Sequence, residues 1–176
     1  MAGQLSYIQE FVAAYAGMLA ENFFEQRIVT KTVIAASTGI PFGVWVCRRT
    51  TDDQCDLPAA AGDVTTTGYG ITVLNVAQEP KNGLVVADGG ALPYVAGQVI
   101  PVLSYGIIWV QAEATATAYG GSVYARITAN GAGKLQLGAI RSDVDGGNAT
   151  IIAGAKFLDT TASGGLCRVL IGTPNA

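Results

Sequence analysis

"YVAGQVIPVLSYGIIWVQAE", residues 94–113, carries one charge, Glu113, at its end. Its length is that of a membrane span, since roughly 20 apolar residues cross a bilayer as a helix. Its composition is not. Gly97, Pro101, Ser104 and Gly106 interrupt the run, and Val99, Ile100, Val102, Ile107, Ile108 and Val110 are β-branched. That chemistry suits a pleated sheet better than a helix. The stretch reads as two buried strands that bend at Tyr105-Gly106.

The flanking sequence has the same character. Towards the C-terminus, "GGSVYARITANGAGKLQLGAI" alternates Val123, Ala125 and Ile127 with Tyr124, Arg126 and Thr128, and "ANGAGK" reads as a hairpin loop. "ATIIAGAKFLDTTASGGLCRVLIG" supplies further short runs. Towards the N-terminus, "GYGITVLNVAQ" and "RIVTKTVIAAS" read as strands. "IPFGVWVCRR" puts Val44 and Val46 on one face and Trp45 and Cys47 on the other. Trp45 and Trp109 lie in apolar strands and read as core aromatics. Polar, turn-rich loops separate the runs. About seven to ten short strands at this spacing predict a mainly β chain, a single-domain antiparallel β-sandwich or barrel over residues 31–176. Edge strands left open by such a sheet would be closed by a neighbour's arm.

Residues 1–30 differ. Leu5, Ile8, Val12, Tyr15, Leu19 and Phe23 recur every three or four positions, with Ser6 as a cap, the spacing of an amphipathic helix. Gly17 inside the stripe costs about 1 kcal/mol against Ala, and Phe11, Met18 and Phe24 widen the apolar surface. Two readings stay open: a short helix packed on its own core, or an N-terminal arm that buries its aromatics on another subunit. Phe11, Tyr15, Leu19, Phe23 and Phe24 are the candidate inter-subunit contacts.

Composition narrows the function. Of 176 residues, 50% are hydrophobic and 13% charged, with net charge −3, the reverse of the bias of a disordered chain. The ten basic residues form no block that would neutralise successive phosphates, so no nucleic acid is expected as partner. A surface poor in charge suits a large protein contact. There is no histidine, which removes the commonest general base and metal ligand. Cys47, Cys55 and Cys167 are an odd set without a close pair and read as free, buried thiols in a reducing compartment. The N-terminus lacks a basic region and carries Glu10, which argues against a targeting segment.

Apparent motifs fail on spacing. "GAGKL" at 131–135 lacks the leading glycine and the hydroxyl of a phosphate loop. "DVDGGNAT" from Asp143 would place Gly154 where a calcium loop needs a carboxylate, and reads as a solvated turn. Asn148-Ala149-Thr150 is a sequon, relevant only on export. Asp52, Asp53 and Asp56 beside Arg48 and Arg49 read as local charge compensation, not as paired acid and base. No catalytic, cofactor or metal residue is nominated, and no enzyme activity is expected.

In order, "AGMLAENFFEQRIVTKTVIAAS", "GIPFGVWVCRR", "ITVLNVAQ", "YVAGQVIPVLSYGIIWVQAE", "GSVYARI", "LGAIRSDVDGGNATIIAGAKFL" and "GGLCRVLI" together resemble the structural cement, or capsid decoration, proteins of tailed double-stranded DNA phages, over roughly residues 16–172. The resemblance implies a virion structural protein on the exterior of the expanded head, assembled in the host bacterial cytoplasm. It implies the major capsid protein and the protein itself, as dimer or trimer, as partners, with no membrane contact and no cofactor. The alternative is a tail or surface β-module that binds a glycan or host receptor.

Overall fold

The computed structural model describes residues 14–20, 26–37, 39–74, 94–113, 117–131 and 134–172. In chain order it contains strands β1 (Arg27–Val33), β2 (Trp45–Arg48), β3 (Gln54–Asp56), β4 (Gly68–Thr72), β5 (Val99–Gln111), β6 (Ser122–Arg126), β7 (Ile140–Arg141), β8 (Ala149–Phe157) and β9 (Leu166–Ile171). One short helix, α1 (Ala61–Thr65), lies between β3 and β4. No helix among the described residues is long and apolar enough to cross a membrane.

The apolar run forms one strand, β5, where the sequence suggested two. A buried strand needs partners for its N–H and C=O groups on both sides, and β5 keeps them by changing neighbours along its length. Val99 to Tyr105 pair with β1, and Val102 and Leu103 also pair with β4. From Gly106 onward the partner is β9. The expected bend at Tyr105-Gly106 is thus where the strand passes from one sheet to the next.

The first sheet closes on itself. Its order is β1-β3-β2-β4-β5, and β5 pairs back to β1. The β1–β3 pair is parallel and the other contacts antiparallel, so this is a five-stranded barrel. The second sheet continues β5-β9-β8-β6-β7. It curls back to β5 through a bridge between Ala112 and Ile140, where the Glu113 N–H donates to the Ile140 carbonyl. Each of the described strands therefore has a neighbour on both sides, although β8 meets β9 only at Lys156 and Phe157 and β7 meets the segment after β5 through one bridge.

Two apolar cores follow from this arrangement. Val33, Phe42, Val44, Val46, Cys55, Tyr94, Ile100 and Val102 fill the barrel. Trp45, Ile71, Leu103, Ile108, Val110, Val123, Phe157 and Val169 belong to the second core. The alternation read in "VWV" is real, but both faces of β2 are buried. Backbones also approach closely: a Cβ on Gly70 would lie 1.9 Å from the Leu103 carbonyl oxygen. Only glycine fits there.

Residues 14–20 are not helical. Gly17 adopts φ +85° in a turn, and its N–H donates to the Trp109 carbonyl at 2.7 Å. Leu19 then bridges Ile108 in antiparallel register. The apolar spacing suggested a helix, but the edge of β5 offers this segment backbone partners that a helix would forgo. The strand β1 already begins at Arg27, before the residue-30 boundary read from sequence.

All three cysteines are buried and free. In the β2–β3 pair, Cys47 faces Asp56 and Cys55 faces Arg48, which turns the two thiols to opposite faces. Burial pushes the Cys47 and Cys55 thiols up to about 12 and that of Cys167 to about 11, so none is a ready nucleophile.

Candidate functional site

The second sheet carries two arginines on its outer face, yet both are buried. Val123 and Ala125 point into the core, so the alternation of β6 turns Tyr124 and Arg126 outward. Arg141 on β7 lies opposite Tyr124, and Glu113 follows the buried Ala112 at the end of β5. Both arginines nevertheless have 0% exposure, because the loops before and after β7 fold over this outer face.

The contacts form one cluster. Arg126 forks onto Glu113, its Nε donating to Oε2 at 2.8 Å and its Nη2 to the same oxygen at 2.6 Å. Arg126 Nη2 also donates to Asp145 Oδ2 at 2.8 Å. Arg141 Nη1 lies 2.9 Å from Glu113 and 3.1 Å from Asp145, and its Nε donates to Asp143 Oδ1 at 2.8 Å. Asn130, on the preceding loop, donates its amide to Asp145 Oδ2 at 2.6 Å. Asp145 is the one non-glycine among the described residues at positive φ, 46°, a conformation Asp tolerates better than most residues. It ties two loops to two strands, and we call this arrangement the clasp.

Electrostatics follow the geometry. Burial opposes the Arg126 charge, but hydrogen bonds to Glu113 and Asp145 outweigh it and hold the guanidinium above its ordinary value. The hydrogen bond from Arg126, aided by the charge of Arg141, holds the Asp145 carboxyl below the usual carboxylate range. The clasp thus spends its acids on arginine. The stretch from Asp143 is the solvated turn expected, with Asp143, Val144, Gly146 and Gly147 exposed and Asp145 alone of residues 143–147 drawn partly in, towards the arginines. Among the described residues no three His, Cys, Asp or Glu side chains gather to hold a metal ion.

Of the contact residues expected from sequence, Tyr15 and Leu19 are half-buried, and Leu19 packs against the second core. Phe11, Phe23 and Phe24 lie outside the described residues. Trp45 is in the core, but Trp109 is half-buried on the outer face, with the Arg168 guanidinium 5.8 Å from its ring centre. Arg168 is held by Asp159, Nη2 to Oδ1 at 2.8 Å, and that hydrogen bond keeps the Asp159 carboxyl below its ordinary range. The charge compensation expected around residue 50 is present as Arg48–Asp52, Arg49–Asp56 and Arg49–Asp63 pairs.

Sequence reasoning missed the clasp. Its signal was an arginine inside each of two apolar strands, in "VYARI" and "GAIRSD", followed by acids two and four residues after Arg141. Several large apolar side chains remain on the surface, among them Ile28, Val99, Leu135 and Val144 at 43%, 64%, 68% and 52% exposure. The last two stand on the clasped loops.

The family described as "Structural cement protein (E217 gp24/Pam3 gp6)" matches residues 4–172. No curated protein matches the chain. A solved chain from "The capsid of Myoviridae Phage XM1" is 20% identical, covers 98% of this chain and 99% of its own length, and superposes with a TM-score of 0.66. That likeness is one of fold.

Proposed function

Because the chain belongs to the structural cement protein family, and so is a bacteriophage virion structural protein, we propose that it binds the outer surface of the expanded head and bridges neighbouring major capsid proteins. The observation that carries this reading is how the chain spends its few charges. Arg126, Arg141 and Glu113 are paired with one another beneath covering loops, while Ile28, Val99, Leu135 and Val144 stay exposed. A surface core depleted in charge and seeded with apolar groups is what a broad protein contact requires. A specific interface buries roughly 1,200–2,000 Å², and a homo-oligomer touching several capsid proteins gains avidity. A ligand of one lattice state stabilises that state by mass action, here the expanded head against the pressure of packaged DNA. The N-terminal segment with Phe11, Tyr15, Phe23 and Phe24 is the proposed contact arm, anchored on this chain by the Leu19–Ile108 bridge.

Co-sedimentation of the purified protein with expanded heads and with procapsids, across a concentration series, tests this. The expected result is saturable binding to expanded heads at a fixed ratio to the major capsid protein, weakened by Phe11→Ala or Phe23→Ala in variants that remain folded. A folded protein that binds neither particle overturns the reading and turns attention to glycans and host receptors.

A further inference from the structure

We propose that Asn130-Gly131 is a spontaneous modification site, at which deamidation is restrained by Asp145 and, once it occurs, opens the clasp. The sequence places a small, unbranched neighbour after the asparagine, and the structure sets that pair on an exposed turn. The Asn130 N–H donates to the Lys134 carbonyl at 3.1 Å. Gly131 is exposed, and a Cβ added there would meet nothing within 4 Å, so the turn is open on that side.

The chemistry is self-contained. The Gly131 nitrogen, losing its proton to hydroxide, attacks Asn130 Cγ. A C–N bond forms, the Cγ–Nδ2 bond breaks, and ammonia leaves with a proton from water. Water then opens the five-membered imide at either carbonyl, giving aspartate or isoaspartate at 130. Nothing is oxidised or reduced. Attack requires Cγ to swing over the Gly131 nitrogen, and the Asn130 amide is held elsewhere, donating to Asp145 Oδ2 at 2.6 Å. A carboxylate only accepts, which also fixes which end of the amide faces it. Asp145 therefore restrains the reaction.

The product reverses the contact. A carboxylate at 130 has no donor to offer Asp145, and it adds a negative charge to a site where Glu113, Asp143 and Asp145 already face Arg126 and Arg141, with Lys134 contributing from the turn. Isoaspartate would in addition lengthen the backbone and disturb the Asn130–Lys134 bridge. Either product frees the loop that carries Leu135.

The test is peptide mapping of the full chain aged in mildly alkaline buffer, with Asn82-Gly83, the second Asn-Gly of the sequence, as internal clock. Asp145→Ala is expected to speed conversion at Asn130 about tenfold relative to Asn82, the factor that ~1.4 kcal/mol of lost charge-assisted hydrogen bond corresponds to. Gly131→Ala is expected to slow it. An unchanged ratio in folded Asp145→Ala overturns the restraint. If that variant does not fold, wild type in denaturant serves instead: conversion at Asn130 should speed up on unfolding relative to an added Asn-Gly reference peptide, and an unchanged relative rate has the same adverse meaning. Asn130→Asp, made directly, should show the loss of amide protection over residues 126–148 seen in aged protein. Full protection in that variant refutes the opening of the clasp.

Discussion

The barrel and the second sheet use the same residue types to opposite ends. Beside the barrel, Arg48 and Asp52 form a pair with side chains 47% and 80% exposed, and Arg49 reaches Asp63 at 3.3 Å with both groups partly in solvent. These charges trim a loop. Asp63 also accepts the N–H groups of Ala59 and Ala60 at 2.7 and 3.1 Å, which settles the start of α1. Over the second sheet, the side chains of Arg126 and Arg141 are 0% and 1% exposed, and they fasten a layer of loop to the outside of the strands. The difference teaches that an arginine-carboxylate pair acquires structural weight from what covers it. In water it gains little, because solvent competes for both partners. Once covered, each charge depends on its partners, since removing one leaves the others with fewer counter-charges and little water to replace them.

The largest expected effect lies at the clasp. Arg126→Ala leaves Glu113 and Asp145 without their main partner and is expected to cost about 3–5 kcal/mol, seen as a lower denaturation midpoint at unchanged slope. A loss below about 1 kcal/mol would place the clasp with surface ion pairs and erase the contrast.

Acid sharpens the same comparison. Asp145 and Asp159 are held below the ordinary carboxylate range by Arg126 and Arg168, so their folded values lie below the unfolded value of about 3.9. Their stabilisation is complete above about pH 4–5 and is lost as the pH falls through the folded values. Hydrogen exchange should therefore show amides of residues 126–148 losing protection before those of β2 and β4. Simultaneous loss throughout would mean that the clasp does not open by itself.

The smallest effect is expected beside the barrel. Arg48→Ala should change stability by no more than about 1 kcal/mol, and the change should shrink further in high salt. A drop comparable to that of Arg126→Ala would show that exposure does not separate the two pairs.

Much of this architecture was legible in the residues. The β-branched run at 99–110 marked a sheet core, Val44 and Val46 opposed Trp45 and Cys47 as written, and the Arg48–Asp52 neighbourhood compensated its own charge. The helix expected through residue 17 fails because Gly17 makes a turn and the β5 edge takes the chain that follows. Trp109 was misplaced because periodicity assigns a face without saying whether that face is covered. The clasp was illegible for a related reason: Glu113, Arg126, Asn130, Arg141 and Asp145 meet from two strands, the segment after β5 and two loops, and nothing local pairs them.

The sequence by itself determined that the chain is β-rich, that its thiols are buried, and which side chains share a face, because alternation along a strand is a local consequence of backbone geometry. It also marked Tyr105-Gly106, where β5 changes its partner from β1 to β9. Only the tertiary structure decided that β5 continues past Gly106 into a second sheet, that the first sheet closes on it as a barrel while the second returns through the Ala112–Ile140 bridge, and that two arginines on an outward face end up buried. Those outcomes depend on which distant segment satisfies a strand's hydrogen bonds and which loop folds over its outer face, and strand periodicity is silent about both.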